Sequence, residues 1–220
     1  TPSLSLMWRT IKIGLSSGIT EFSAGIVIFL FNQSILAYLG EESIVSYTIV
    51  TYVSTIVVMS MAGIAQGIQP LVSYHYGRKM PQNYHRLLKY ALCFGTVFSI
   101  AAFLISRAIA SPLVNLFISP ELAQLRADSV RIFYTFSYSF LLCGFNVILG
   151  GFFTAIEYPK SAMAISLGRG FIFVAISLRI LTRLLGGNGI WMAATLAEGM
   201  CLVLTLVLFI YYRSTCTHSK

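Results

Sequence analysis

The stretch that decides the fold is Ile13–Gly40, IGLSSGITEFSAGIVIFLFNQSILAYLG. Its 28 residues carry a single charge, Glu21. As a helix rising about 1.5 Å per residue it extends roughly 42 Å, more than the ~30 Å of a bilayer's hydrocarbon core. A carboxylate at that depth is costly unless it faces a protein interior or a wet cavity. Glu21 is therefore a candidate ion or proton relay. The plainer alternative is a protonated, hydrogen-bonded glutamate that joins two helices.

The rest of the chain has the same character. Of 220 residues, 57% are hydrophobic and 10% are charged, and the mean hydropathy is +0.81. Soluble domains carry about 25% charged residues, so this is an integral membrane protein. The net charge of +8 does not indicate a nucleic-acid partner, because the basic residues lie at span ends rather than in one patch. Cys93, Cys143, Cys201 and Cys216 show no CxxC or metal-ligand spacing and read as lone, reduced thiols. The chain opens TPSLS, without Met or a secretory leader pattern, and is expected to be a piece of a longer protein.

The apolar runs predict six transmembrane helices near 14–39, 44–69, 88–111, 130–156, 161–184 and 189–212. The fold class is all-α integral membrane, a six-helix transmembrane bundle. Residues 1–13 read as an interfacial lead-in with Trp8 at headgroup level, and 213–220 as a cytoplasmic tail. The six prolines, Pro2, Pro70, Pro81, Pro112, Pro120 and Pro159, lie outside or at the margins of these runs. A proline lacks a backbone donor, so helices are expected to stop there. One set of alternate loops and ends holds Arg9, Lys12, Arg78, Lys79, Arg86, Lys89, Lys160, Arg213 and Lys220. The other holds Arg107, Arg126, Arg131, Arg179 and Arg183 with four acids. Nine basic residues against five place both termini on the cytoplasmic side of the cell membrane.

Two more ionisable residues interrupt spans, Arg169 and Glu198. Glu21 lies nine residues past Lys12, Arg169 nine past Lys160, and Glu198 nine past Gly189. Each is thus about 13 Å deep, the first two from one side and the third from the other. The three converge near the midplane, where Arg169 and a glutamate can reduce each other's burial cost by pairing. A structural pair of Arg169 with Glu198 leaves Glu21 as the carboxylate free to titrate. Glu198 is the second candidate for a coupling or cationic-drug site.

Gly14, Gly18, Glu21, Gly25 and Asn32 share one helical side, opposite Phe22, Ile26 and Phe29. Glu21 is therefore expected to point into a closely packed bundle. Thr55 and Gln66 on the second span, with Gln69 beyond them, and Tyr138 and Asn146 on the fourth, read with Asn32 as candidate cavity-lining residues. Polar stripes suit a wet vestibule and aromatic faces suit lipophilic cations. Interhelical hydrogen bonding accounts for any one of them equally well.

The string Gly63–Lys79, GIAQGIQPLVSYHYGRK, is a helix end followed by a basic loop. It resembles the signature of the multidrug and toxic compound extrusion (MATE) family. GLSSGITEFSAGIVIFLFN, SLGRGFI and GGNGIWMA with the following Glu198 are similar to other stretches of that family, and the likeness covers nearly the whole chain. The resemblance implies a twelve-helix transporter of two six-helix lobes, of which this is the second. Its partners would be the lipid bilayer, an N-terminal six-helix lobe and small organic cations. It would need no cofactor and would exchange drug for a coupling ion, H+ or Na+. Sodium-using relatives pair a first-span carboxylate with an aspartate on the fourth span; here that span has only Asp128, at its outer end. The resemblance therefore implies Glu21 as the lobe's coupling or drug site without implying that sodium site.

Other readings are a lipid-linked oligosaccharide flippase of the same superfamily, a non-transporting scaffold or half-transporter, and a membrane-embedded enzyme. The flippase needs a cation-rich cavity, for which only Arg169 is available. The enzyme finds no HExxH, GxSxG or intramembrane aspartate pair, and His75 and His85 fall in a loop.

Overall fold

The computed structural model describes residues 4–218. The side chains of ten residues between 6 and 24, Glu21 among them, and those from 215 onward lie outside the described set. The described chain is helical almost throughout. It comprises α1 (Leu4–Tyr38), α2 (Glu42–Gly77), α3 (Pro81–Phe117), α4 (Ala123–Ser137), α5 (Phe140–Ala155), α6 (Pro159–Leu167), α7 (Phe173–Leu185) and α8 (Ile190–His218). A π-helical segment, Gly168–Ile172, joins α6 to α7, and a 3-10 turn, Gly186–Gly189, joins α7 to α8.

By length and hydropathy α2 and α3 can each cross a membrane, and so can α4 with α5 as one span bent by 41°. The run Pro159–Ser214 folds back on itself. Arg169 and Glu198 are 29 positions apart in sequence yet 2.7 Å apart in space, where a straight helix would separate them by roughly 43 Å. The reversal falls at Gly186, whose φ of +62° suits a residue without Cβ.

Two expectations about helix ends do not hold. Pro70 lies inside α2 and Pro112 inside α3, so neither stops its helix. A proline in a spanning helix is tolerated where neighbouring groups re-satisfy the freed backbone. Near Pro70, α2 is tied to α5 by Ser73 Oγ donating to the Ala155 carbonyl at 2.9 Å. The fourth span, conversely, breaks with no proline or glycine at Ser137–Ser139. There Ser137 Oγ donates to Tyr134 O and Ser139 Oγ to Phe136 O, both at 2.8 Å. Backbone donors at Ser139, Leu141 and Leu142 reach carbonyls only three residues back. Hydroxyls competing for ladder carbonyls bend helices in this way.

The apolar interior forms two clusters along the bundle. One holds Phe31, Ile35, Tyr47, Met61, Phe133, Phe140, Cys143, Val174, Trp191 and Ala197. The other, toward the basic end, holds Ala65, Tyr84, Ile148, Phe152, Ile165, Cys201 and Tyr212. On α5 the clusters meet between Cys143 and Ile148, on α6–α7 between Ile165 and Val174, and on α8 between Ala197 and Cys201. The polar seam between them is where the site lies.

Candidate functional site

Three helical segments deliver one polar side chain each to that seam. Arg169 comes from the π segment, Glu198 from α8 and Asn146 from α5. Arg169 Nε donates to Glu198 Oε1 at 2.7 Å. Asn146 Nδ2 donates to Glu198 Oε2 at 2.7 Å and to the Glu198 carbonyl at 3.0 Å. Thr205 Oγ1, one helical turn pair further along α8, donates to Asn146 Oδ1 at 3.2 Å. Both carboxylate oxygens are thus held by donors, and the amide is satisfied on both sides. Asn146 and Thr205 are fully buried, whereas the Arg169 and Glu198 side chains keep 19% and 11% of their surface. The pair is accessible at one edge and not sealed.

The π segment explains how Arg169 arrives there. Phe173 N–H bonds to Gly168 O, five residues back, so one extra residue is accommodated in the turn. Such bulges redirect side chains and recur at functional sites. Gly170 lets α1 close on this segment: a Cβ there would collide with the Cβ of Ser23, which is itself buried. Ser23 is two residues from Glu21. The α1 backbone at Glu21 is therefore about 3 Å along the axis from the level of Arg169. The Glu21 side chain lies outside the described residues.

The remaining candidates are dispersed. Asn146, expected on a cavity wall, is instead a fully buried part of the charged network, because Glu198 needs a donor for its second oxygen. Asn32 is half-buried, with a buried Oδ1 that has no partner. Thr55 Oγ1 turns back to Thr51 O at 2.8 Å. Gln66 is exposed, and Gln69 Nε2 lies 3.5 Å from Gly151 O. Tyr138 is 48% exposed, with its ring 5.5 Å from the Arg107 guanidinium. Thr205 escaped the sequence reading, although it stands seven residues after Glu198, the spacing of one helical face.

Chemically, the arrangement is a carboxylate already neutralised by its own arginine. A foreign cation reaches Glu198 only by displacing Arg169. Among the described residues no three His, Cys, Asp or Glu side chains gather as a metal site.

The family model described as MatE matches residues 19–181. Over 220 residues the chain is 21% identical to the multidrug export protein MepA of Staphylococcus haemolyticus, covering 100% of this chain and 47% of that protein. It superposes with a TM-score of 0.87 and 18% identity on an outward-facing multidrug resistance MATE family transporter of the MOP superfamily, covering 99% of this chain and 48% of the other. The same TM-score of 0.87, with 18% identity, is found for a MOP superfamily transporter of Pyrococcus furiosus whose binding pocket is described as of reverse polarity, suggesting a different function. The chain spans about half the length of the relatives it matches.

Proposed function

The chain belongs to the MatE family, and from that premise we propose that it forms the C-terminal six-helix lobe of an antiporter. That antiporter exports organic cations across the cell membrane in exchange for protons. The carrying observation is the Arg169–Glu198 pair at 2.7 Å, with Asn146 on the second oxygen. It occupies Glu198 with internal donors and leaves Glu21, at nearly the same depth on α1, as the exchangeable carboxylate. Proton and drug compete for Glu21: protonation removes the charge that holds an organic cation, and a bound cation disfavours the proton. That reciprocal linkage is what exchange requires. Sodium is the less suited coupling ion, since a bare cation seeks several oxygen ligands and the fourth span offers no acid near the seam.

The flippase reading is weaker for the same reason. Arg169 is already neutralised and offers no uncompensated charge to a lipid-linked phosphate.

The test is efflux of a fluorescent organic cation from vesicles containing the full-length protein under an imposed proton gradient. Glu21→Gln should abolish gradient-driven efflux with insertion unchanged. Full-rate transport by that variant would remove Glu21 from the coupling role. Efflux driven equally by a sodium gradient at fixed pH would overturn the choice of ion.

A further inference from the structure

At the basic end of the bundle, the start of α3 and the end of α8 enclose an open pocket of about 460 Å³. None of its lining residues belongs to the Arg169–Glu198 network. Its wall changes character along the helix axes. Nearest the end stand Pro81, Gln82 and His85 of α3 and Arg213 of α8, then Leu88 beside Lys89; about a turn deeper stand Leu92 and Phe209. Lys89 and Leu92 are three residues apart, and Phe209 and Arg213 four, so each helix sets an apolar side chain on the bundle side of its cation. Two helices that independently place a cation over an apolar wall reproduce the profile of one phospholipid, phosphate outward and acyl chain inward.

Further features fit an anion at the outer part of this pocket. α3 begins with Pro81, has no acidic residue in its first turn and has no side-chain cap, so the positive end of its dipole is uncompensated. Arg78, Lys79, Arg86 and Lys160 share this end of the bundle, with Glu157 the acid beside them.

We propose that this pocket is a binding site for the phosphate headgroup of an anionic membrane lipid. Lys89 and Arg213 are the charged contacts and Leu92 and Phe209 the acyl-chain wall. Basic pockets between spanning helices recognise such headgroups through short-range charge. The apolar inner wall favours a lipid over free phosphate, which has nothing to place against it.

The full-length protein in detergent is titrated with phosphatidylglycerol, with phosphatidylcholine and with inorganic phosphate, and bound lipid is counted by native mass spectrometry. Phosphatidylglycerol should bind the unaltered protein more tightly than phosphatidylcholine. Lys89→Ala with Arg213→Ala should weaken it roughly 20–30-fold, the expected loss of two interfacial charges. Lys160→Ala, which removes a charge from the same end but outside the pocket, should leave it unchanged. Equal binding by the double variant, an equal loss in Lys160→Ala, or displacement of the lipid by inorganic phosphate at matched concentration would each overturn the proposal. Should the double variant fail to fold, Lys89→Glu alone must show the same selective loss of phosphatidylglycerol.

Discussion

Two arginines in spanning helices meet the cost of their charge by different means. Arg169 is neutralised by a carboxylate, Glu198, at 2.7 Å. Arg107, on α3, has no carboxylate in salt-bridge reach among the described residues. Its guanidinium lies 4.6 Å from the Tyr134 ring centre, 5.2 Å from Phe103 and 5.5 Å from Tyr138. Its Nη1 is 3.5 Å from the Tyr134 carbonyl, at the bend between α4 and α5. Surroundings, not distance from a helix end, separate them. Arg107 packs among three aromatic rings at the bend of the fourth span. Arg169 stands at the seam of two apolar clusters, where rings alone do not compensate a full charge. An ion pair is therefore kept at the polar seam, and an aromatic cradle serves at the bend of the fourth span.

The sharpest way to break that contrast is to remove the counter-ion. Glu198→Ala leaves Arg169 largely buried and unpaired and also removes one of the two acceptors of Asn146 Nδ2. The loss should be about 3–5 kcal/mol, the usual cost of orphaning a buried charge, read by thermal or denaturant unfolding of the full-length protein. Arg169→Met with Glu198→Leu should recover most of it, because matched apolar groups carry no desolvation cost. A double variant as unstable as the single one would show that the pair's role is not electrostatic. Asn146→Ala comes next in size. It removes the amide's two hydrogen bonds to Glu198 and should cost about 1–3 kcal/mol; a neutral result would mean that water replaces the amide.

The contrast also marks how much was legible in the sequence. The convergence of Arg169 and Glu198 followed from nothing more than residue counts and helical rise, and the observed pair shows why. Both positions are fixed by their distance from a span end, which survives errors in helix boundaries. Asn146 was readable as an inward polar residue but not as a ligand of Glu198, since its partner is 52 positions away and no local rule links them. The π segment was hidden for a related reason: the residue added at Gly168–Ile172 leaves no trace in hydropathy. Pro70 and Pro112 misled because proline's cost is set by whether neighbours re-satisfy the backbone, a tertiary property. Arg107 was counted only as a loop charge, although Phe103 at i−4 on the same helix was a visible hint of the cradle.

The smallest effect should come from thinning that cradle. Tyr134→Leu keeps the backbone carbonyl that Arg107 Nη1 approaches but removes the nearest of the three rings, the one at 4.6 Å. A half-exposed cation–π contact is worth about 0.5–2 kcal/mol, so the variant should lose no more than that in an unfolding measurement. Phe103→Leu, with its ring at 5.2 Å, should lose less. Two neighbours of the same cation are coupled, so the double variant should cost more than the sum of the two singles once the guanidinium has neither face left. Strict additivity would instead mean that Arg107 is held by the Tyr134 carbonyl at the bend, and the two arginines would then differ in their acceptor but both be held by an oxygen.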